Sequence, residues 1–510
     1  RTRTMLRSCS RPLRMAIGQG RRWLSTTNDS PRGEGKGAPF LHNFHKAFPE
    51  APPVSVLVSA EDGVYVRDEN GNRLLDGLAG LWSVSLGYNQ ERIVQAATNQ
   101  MRKLPYSHSF WNHGHDVGYQ LADELSTFIP FPVEKIAFTG GGSDANDTAI
   151  KFAWFYNNAL GRVNKKKIIA RNKAYHGVTG IASSLSGLPG LHTGFGAAGA
   201  PNLPLPGFVH LTCPHLYRFG HLGETEEEFS SRLVQEFEDT VEREGAETIA
   251  AFIAEPLMGA GGVYPPPQNY LEACQSICHE NDILFIADEV VCGFGRLGEH
   301  FGSQLYHIVP DMITMAKALT SSYIPMGAVA ISPQVAEVLA EGSAGGILGH
   351  GYTYGGHPVS CAVALECLHI YEEEGIRHKV QERAPQLLEG LHRICKGSAI
   401  VGEVRGRGLI AAIEFVRDRE TRQAWDPAVG VGAMVGRKAR EKGVIVRVIG
   451  DVVAMSPPLI IQEGQVEELL AGLEGAIQET ESELRAKGLL PPSSSSLPPL
   501  FSTSLQLHVR

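Results

Sequence analysis

Short apolar runs alternate with amphipathic stretches along the middle of the chain. Apolar runs bounded by turn residues predict strands, and apolar positions at helical spacing predict helices. The predicted strands are 136–139, 167–171, 249–254, 283–288, 312–315 and 327–331. The predicted helices are 144–160, 224–244, 268–281 and 332–340. This alternation predicts an α/β fold with a large, mostly parallel sheet that carries helices on both faces.

The pattern changes on either side of this region. Upstream, Asn70-Gly71 between two short apolar runs predicts a β-hairpin, and 90–104 predicts a helix with Ile93, Ala97 and Met101 on its apolar face. Downstream of His357 the elements indicate a smaller α+β domain, with helices at 358–373, 377–395 and 463–486 and strands at 408–416 and 444–455.

We therefore expect five successive segments. They are a leader at 1–28, an N-terminal segment that packs with the small domain at 29–84, a large domain at 85–356, a small C-terminal domain at 357–488, and a disordered Pro/Ser-rich tail at 489–510.

Composition excludes several classes of function. The 510 residues are 43% apolar and 20% charged, with a formal net charge of −9 and no basic stripe in the body of the chain. Nucleic acid is therefore not an expected partner. The apolar runs are too short to cross a bilayer, so no membrane association is expected.

The first 28 residues differ from the rest. They contain seven arginines and no acid. Such a leader is typical of a mitochondrial presequence and predicts location in the matrix, with a plastid leader or a plain basic tail as alternatives. The eight cysteines are scattered and lack zinc-site spacing, so we expect free thiols and no metal.

Candidate chemistry begins at the end of the predicted strand 283–288. Asp288 ends this strand, and ligands of open α/β sheets bind beyond the carboxyl ends of strands. A buried carboxylate needs a cationic partner, such as a protonated ring nitrogen. Lys317 follows the strand 312–315, where burial can lower the pKa of its amine and favour attack on an aldehyde. An acid for a pyridinium and an amine for an aldehyde together indicate pyridoxal 5′-phosphate (PLP).

Two further segments supply what this cofactor needs. Gly140-Gly141-Gly142-Ser143 follows a strand and opens a helix, which gives a phosphate-binding N-terminus. Tyr175 follows the strand 167–171 and offers an aromatic face for the ring. Each signal alone is weak, since a glycine turn, a lysine after a strand or a Tyr-His pair is usually structural. Their combination in one α/β region is specific.

The motifs resemble those of a known family. The stretches TGGGSDANDTAIK, LFIADEVVCGFGRLG, MAKALTSSYIPMGAV and GYTYGGHPVSCAVA resemble class III aminotransferases, the ω-aminotransferase branch of fold type I PLP enzymes. CPHLYRF followed by GETEEEFSSRL is similar to the plant-type mitochondrial 4-aminobutyrate transaminases that use pyruvate or glyoxylate. The resemblance covers about residues 40 to 488.

The resemblance implies roles for individual residues. Lys317 would hold PLP covalently and move the substrate proton, and Asp288 would keep the pyridine nitrogen protonated. The other cofactor contacts would come from Gly142, Ser143, Tyr175, Val290, Glu255 and, from the neighbouring subunit, Thr353. The substrate contacts would come from Arg447, which would pair with the acceptor's carboxylate, and from Trp82, Leu81, Phe110 and Tyr175.

Three positions depart from the family's usual pattern. Gly141 replaces a serine before the phosphate-binding glycine, Met258 replaces a glutamine, and Tyr354-Gly355-Gly356 stands where Tyr-Ser-Gly is usual. None of these changes Lys317 or Asp288, so we expect activity to be retained.

The resemblance implies a transaminase that acts on an amine donor and a 2-oxo acid acceptor. The best expectation is transfer from 4-aminobutyrate, giving succinate semialdehyde, to pyruvate or glyoxylate, giving alanine or glycine. The alternatives are a β-alanine or other amine–pyruvate transaminase, an aminomutase, and, more remotely, a dinucleotide-binding protein without PLP. The shared family site implies a homodimer or a tetramer built from it.

Overall fold

The computed structural model describes residues 43, 55–61, 63–195, 203–342, 348–491 and the backbone of 501–502. The described residues from 56 onward form one compact unit. The predicted leader, 1–28, lies outside the described residues, as do 492–500 and 503–510 of the predicted tail.

The strands, in chain order, are β1 Leu57–Ala60, β2 Tyr65–Asp68, β3 Arg73–Asp76, β4 Lys135–Thr139, β5 Lys167–Arg171, β6 Phe208–Leu211, β7 Ile249–Ala254, β8 Leu284–Asp288, β9 Met312–Met315, β10 Gly327–Ile331, β11 Val401–Arg407, β12 Ile410–Phe415, β13 Val444–Ile445, β14 Arg447–Ile449, β15 Val452–Met455 and β16 Phe501–Ser502. The helices are α1 Ala79–Trp82, α2 Glu91–Lys103, α3 Asp116–Phe128, α4 Gly142–Ala159, α5 Gly180–Leu185, α6 Leu216–Phe219, α7 Glu226–Glu244, α8 Tyr270–Glu280, α9 Gly302–Leu305, α10 Pro333–Glu341, α11 Pro358–Glu373, α12 Ile376–Cys395, α13 Val431–Glu441 and α14 Glu463–Ala486, with short 3₁₀ turns at Pro189–Leu191, Ala246–Thr248 and Lys317–Thr320.

The largest sheet has seven strands in the order β4-β10-β9-β8-β7-β5-β6. The neighbours from β9 to β6 pair in parallel, and β10 is antiparallel to both β4 and β9. The prediction of a mostly parallel α/β sheet is confirmed. Because β4 and β9 both oppose β10, the carboxyl ends of β4, β5, β7, β8 and β9 lie at one edge of the sheet.

Both faces of this sheet are buried. Along β7 and β8, alternate residues join different apolar clusters: Ile253 and Ile286 pack with α4, whereas Phe252 and Phe285 pack with α7 and α8. Side chains of a strand point alternately to its two faces, so helices on both sides require apolar residues throughout. This explains the continuous apolar runs in the sequence.

Two smaller sheets complete the described structure. One has the order β1-β2-β3-β13 and contains the predicted hairpin, β2 and β3. Its last strand, β13, comes from the C-terminal part of the chain and pairs in parallel with β3, Val444 opposite Leu75. The other sheet has the order β14-β15-β12-β11-β16, so residues 501–502 of the predicted tail pair with β11.

Some predictions about elements were wrong. The patterns did not reveal β6, β11 or α3, and the predicted strand 444–455 is three strands, β13, β14 and β15. On α2, Met101 is 54% exposed, whereas Ile93 and Gln100 are buried. Gln100 takes the inner position because its amide donates to the carbonyl of Leu104 where the helix ends.

No helix among the described residues is both long enough and apolar enough to span a bilayer. The seven described cysteines are all free and buried, and Cys9 lies outside the described residues.

Candidate active site

A buried anion marks the carboxyl edge of the large sheet. Asp288 ends β8, and its Oδ2 accepts hydrogen bonds from Asn146 Nδ2 at 2.9 Å and His176 Nδ1 at 2.7 Å. Its Oδ1 accepts from the backbone N–H of Val290 at 3.1 Å. Burial alone would raise the pKa of Asp288, but the hydrogen bonds from His176 and Asn146 outweigh it and lower the pKa. The carboxylate is therefore charged at neutral pH and suited to hold a cation.

The neighbouring acid has a different task. Glu289 points to the other side of the chain, where it accepts hydrogen bonds from the backbone N–H of Gly302 at 2.9 Å and of Ser303 at 2.6 Å. Burial raises the pKa of Glu289 to about 7. These contacts fix the start of α9, so Glu289 is structural.

Lys317 lies beyond the next strand, β9, at the start of a 3₁₀ turn. Its φ is 46°, in the left-handed region that L residues rarely adopt. The side chain is half-buried. Burial lowers the pKa of its amine, and the nearby carboxylates of Asp288 and Glu255 oppose that shift. An amine with a lowered pKa is a better nucleophile toward a carbonyl at neutral pH.

Glu255 follows β7 and supports the aromatic wall of the site. Its carboxylate accepts from the backbone N–H of Tyr175 at 3.0 Å and of Gly259 at 2.8 Å. Burial raises the pKa of Glu255. The contact with Tyr175 fixes the loop after β5, so Glu255 positions the half-buried Tyr175 next to Asp288.

The glycine-rich segment opens α4 as the sequence predicts. A Cβ atom on Gly142 would lie 3.1 Å from Val290 Cγ1, so the first turn of α4 packs on Val290. A Cβ atom on Gly141 would meet nothing within 4 Å, so space is open in front of this N-terminus. The N–H groups at the start of an eighteen-residue helix can bind a phosphate there.

Ser143 is held close to the loop that carries Tyr175. Its Oγ accepts from the backbone N–H of Val178 at 3.2 Å. Gly177 has a φ of 125°, and a Cβ atom there would lie 2.3 Å from Ser143 Oγ. Only glycine fits this position.

The expected substrate residues divide into two groups. Trp82 is buried beside Gly259, whose Cβ position lies 3.6 Å from the Trp82 ring. The side chain of Arg447 is exposed at the start of β14, and it lies near enough to Tyr175 to lower the pKa of its hydroxyl against the larger raising effects of burial and Asp288. Leu81 is 61% exposed.

Phe110 and Thr353 lie together on an exposed surface. The Phe110 ring is 3.1 Å from the Cβ position of Gly351, and Thr353 accepts a hydrogen bond at its carbonyl from the Tyr106 hydroxyl at 2.8 Å. The described contacts of these two residues are with this surface, and none joins them to Asp288 or Lys317.

The structure explains two of the departures from the family's pattern. A Cβ atom on Gly355 would lie 2.5 Å from the carbonyl oxygen of Phe138, so this backbone path leaves no room for a serine. Met258 is fully buried in a cluster with Ala174, Cys213 and Tyr264, where its apolar side chain packs without needing hydrogen-bond partners.

The residues present fit PLP by their chemistry. A buried anion suits the pyridine nitrogen, an amine with a lowered pKa suits the aldehyde, and an open helix N-terminus suits the phosphate. The half-buried Tyr175 and Val290 can cover the ring.

Comparison with known proteins decides the family. The chain matches Aminotransferase class-III over residues 47–477. It belongs to the class III aminotransferases. Class III aminotransferases use PLP, and their fold is that of the fold type I transferases. Membership of this class removes the dinucleotide-binding alternative.

Curated relatives and solved structures are similar over most of their length. The chain is 46% identical to the probable gamma-aminobutyrate transaminase 2, mitochondrial, of Oryza sativa subsp. indica, over 91% of this chain and 92% of that protein. It is 47% identical to the gamma aminobutyrate transaminase 3, chloroplastic, of Solanum lycopersicum, over 91% and 89%. The omega transaminase from Pseudomonas jessenii in complex with PMP is 45% identical, with a TM-score of 0.82 over 86% of this chain and 94% of that one.

The sequence did not assign three residues of this aminotransferase site. Asn146 and His176 hold the Asp288 carboxylate, and Thr314 holds Asn146 through a hydrogen bond from its Oγ1 to Asn146 Oδ1 at 2.8 Å. Asn146 and His176 lie inside the motifs around Gly142 and Tyr175, and this position is the sequence signal that could have indicated them. Their target, Asp288, is more than a hundred positions away in the chain.

A second buried charged cluster lies elsewhere in the molecule. His215, Glu403 and Glu414 bring ligand-type atoms within 4.8 Å of one another. Arg405 Nη1 donates to both carboxylates, at 2.5 Å and 2.6 Å, so a protein cation already balances them. A cavity of about 1250 Å³ opens beside this cluster, with His215, Glu403 and Arg405 in its wall.

Proposed function

We propose that this aminotransferase moves the amino group of an ω-amino acid, 4-aminobutyrate in the first place, to pyruvate or glyoxylate. The donor is supported by the names of the relatives. Two of them are named gamma-aminobutyrate transaminases, and the similarity to this chain covers about nine-tenths of each. The products would be succinate semialdehyde with alanine or glycine.

One observation carries the assignment of the reacting centre. Asp288 ends β8 and Lys317 follows the adjacent parallel strand β9, and the Asp288 carboxylate is near enough to oppose the lowering of the pKa of the Lys317 amine. This placement supports a single small cofactor that contacts both groups.

The proposed roles follow from this geometry. PLP, when bound, withdraws electrons from the carbon that carries the substrate nitrogen and carries the amino group between the two substrates. Asp288 holds the proton on the pyridine nitrogen. Lys317 takes the proton from the substrate carbon and returns it, as a base whose pKa burial has lowered. Tyr175 and Val290 would cover the bound ring and exclude water from it.

Arg447 would determine which acceptor binds. Its exposed guanidinium lies near Tyr175 and can form a bidentate pair with the carboxylate of a 2-oxo acid. An exposed arginine can also turn away when the other substrate enters. β-Alanine is the second candidate donor, because it presents the same two charged groups on a shorter chain.

A matrix of donors against acceptors tests the substrate. The donors are 4-aminobutyrate, β-alanine and a simple amine, and the acceptors are pyruvate, glyoxylate and 2-oxoglutarate. We expect the highest kcat/KM for 4-aminobutyrate with pyruvate or glyoxylate. A preference for 2-oxoglutarate would contradict the proposed acceptor, and a preference for β-alanine would select the second donor. Isomerisation of the amine without an acceptor would indicate an aminomutase.

Lys317→Ala tests the reacting centre. We expect kcat to fall by about 10²-fold or more, because the base is lost, and reductive trapping of PLP by borohydride to label no lysine at this site. Lys165 provides a matched control, because burial lowers the pKa of its amine as it does for Lys317, but this amine donates to the backbone carbonyls of Asn281 and Asp282. Lys165→Met should keep the label. Equal labelling of wild type and Lys317→Ala would refute the assignment.

We also propose a homodimer in which the exposed surface around Phe110 and Thr353 completes the neighbour's site. This surface includes an aromatic group with Trp111 at 85% and Tyr354 at 69% exposure, and such patches mark interfaces. Mixing Lys317→Ala and Thr353→Ala subunits tests it. Shared sites should restore activity in mixed dimers, and separate sites should not.

Location and domain limits complete the proposal. The Arg-rich residues 1–28 and the mitochondrial relatives support import into the matrix, with a plastid as the alternative that the tomato relative raises. The domain limits 29–84, 85–356 and 357–488 are supported by the pairing of β13 with β3 and by the confinement of the seven-stranded sheet to 135–331. An import assay followed by N-terminal sequencing tests the location, and limited proteolysis tests the domain limits.

A further inference from the structure

Asn146 is a buried amide whose hydrogen bonds join α4 to β8, to β9 and to the loop after β5. It lies in the second turn of α4 and is 1% exposed. Its Nδ2 donates to Asp288 Oδ2 at 2.9 Å and to the backbone carbonyl of His176 at 2.7 Å. Its Oδ1 accepts from the Thr314 hydroxyl at 2.8 Å. Two acceptors on one side and a hydroxyl donor on the other allow only one orientation of the amide.

The contacts of Asp288 are unequal between its two oxygens. Oδ2 receives both side-chain donors, Asn146 and His176, whereas Oδ1 receives only the backbone N–H of Val290. A carboxylate oxygen accepts about two hydrogen bonds. Oδ2 is therefore filled, and acceptor capacity remains on Oδ1.

We propose that Asn146 is a positioning residue for Asp288: its amide, oriented by Thr314, fixes the carboxylate so that Oδ1 stays available to the pyridine nitrogen of PLP. His176 supports the same oxygen from the other side. This inference rests on the proposed roles of Asp288 and Lys317, but not on which amine is the donor. A purely structural Asn146 would instead only tie α4 to β8 and β9.

The main variant is Asn146→Leu, which keeps the size of the side chain and removes both donors and the acceptor. Hydrogen bonds to charged groups are the stronger ones, so we expect PLP to bind the apoprotein about 10-fold more weakly or worse, by fluorescence titration. We expect the visible band of the bound cofactor to change, because the ring nitrogen loses its fixed anion. With 4-aminobutyrate, kcat should fall while KM changes little.

Asn157→Leu is the matched control. Asn157 is on the same helix and fully buried, but its Nδ2 donates within the helix to the carbonyl of Ala153. This variant should change stability without changing the visible spectrum or the PLP affinity. If both variants alter the spectrum alike, the effect is structural and the positioning role is wrong.

Thr314→Val keeps the inference testable if Asn146→Leu does not fold. Valine has the shape of threonine and lacks only the hydroxyl that orients the amide. We expect the same changes in spectrum and PLP affinity, at about 3-fold in affinity, since one neutral hydrogen bond is lost. A folded Asn146→Leu or Thr314→Val protein with the wild-type spectrum and affinity would overturn the inference. A wild-type protein that binds PLP but transaminates no donor would instead refute the proposed function.

Discussion

Replacing Arg405 with leucine would leave two buried carboxylates without their shared cation. Arg405 lies on β11 and is 3% exposed. Its Nη1 donates to Glu403 and Glu414, and its Nε and Nη2 donate to the carbonyls of Val263 and Gly262 at 2.8 Å and 2.7 Å. Leucine can make none of these contacts.

The expected loss of unfolding free energy can be worked out from the ion pair of Arg405 with Glu403. Breaking a buried ion pair from one side costs about 3–5 kcal/mol, because the other charge stays buried. Burial would raise the pKa of Glu403, but His215 and Arg405 lower it to about 2. Burial also lowers the pKa of His215, whereas the guanidinium of Arg405 stays charged at every pH of the experiment. The net shift of the Glu403 pKa from 4.5 to about 2 is worth about 3 kcal/mol and combines the opposing effects of burial and of both cationic partners, His215 and Arg405.

The same pKa gives the pH dependence. A carboxyl with a lowered pKa stabilises the fold above its unfolded value, 4.5, and this contribution is lost as pH falls toward about 2. In Arg405→Leu, burial without the guanidinium raises the pKa of Glu403. Acid therefore reduces the destabilisation of the variant, because it protonates the buried carboxylate. The difference in unfolding free energy between wild type and variant should therefore shrink as pH falls from neutral.

Equilibrium urea unfolding of the apoprotein, followed by circular dichroism at several pH values, measures this difference. Arg407→Leu is the control, because Arg407 ends the same strand and is only half-buried. We expect Arg407→Leu to cost less than about 1 kcal/mol, because a partly solvated charge contributes little. An Arg405→Leu cost of that size, or one that grows in acid, would refute the reasoning.

Three further outcomes are expected. Gly177→Ala should weaken PLP retention on gel filtration, because its Cβ atom would lie 2.3 Å from Ser143 Oγ; unchanged retention would contradict the tight contact. Thr225→Ala removes the capping box of α7 and should lower the unfolding free energy by about 1 kcal/mol, measured by urea unfolding beside Thr193→Ala on an exposed turn. Burial raises the pKa of Glu289 to about 7, so its protonated form stabilises the fold. This contribution, about 3 kcal/mol, should be lost as pH rises from 4.5 to 7. The unfolding free energy of Glu289→Gln should not show this decrease with pH.

Much of the fold and site could be predicted because the decisive residues follow strands. A buried strand is a short apolar run, and a polar residue that ends it is visible in the sequence. Asp288, Glu255 and Lys317 follow β8, β7 and β9 in this way. Since the parallel strands end at one edge, the sequence predicts that these residues converge.

The remainder depends on contacts between distant segments. The pairing of Asn146 with Asp288 and Thr314 joins positions far apart, and the apolar run of β10 carries no sign that it lies antiparallel to β9 and β4. The cluster around Arg405 joins the CPHLYRF segment to β11 and β12, so a motif that indicates a branch of the family is in fact part of a buried ionic network.

The left-handed turn at Lys317 has a consequence for transplanting this chemistry. The turn also contains Ser321 and Ser322 with φ of 46° and 59°, and each such residue is disfavoured by about 1–2 kcal/mol. Distant groups hold it: the backbone N–H of Leu86 donates to Ser321 Oγ, and the Tyr371 hydroxyl donates to the carbonyl of Ala318. The segment MAKALTSSY grafted alone onto another scaffold would relax toward ordinary right-handed backbone. The lysine amine would then no longer be held in the orientation that it has here.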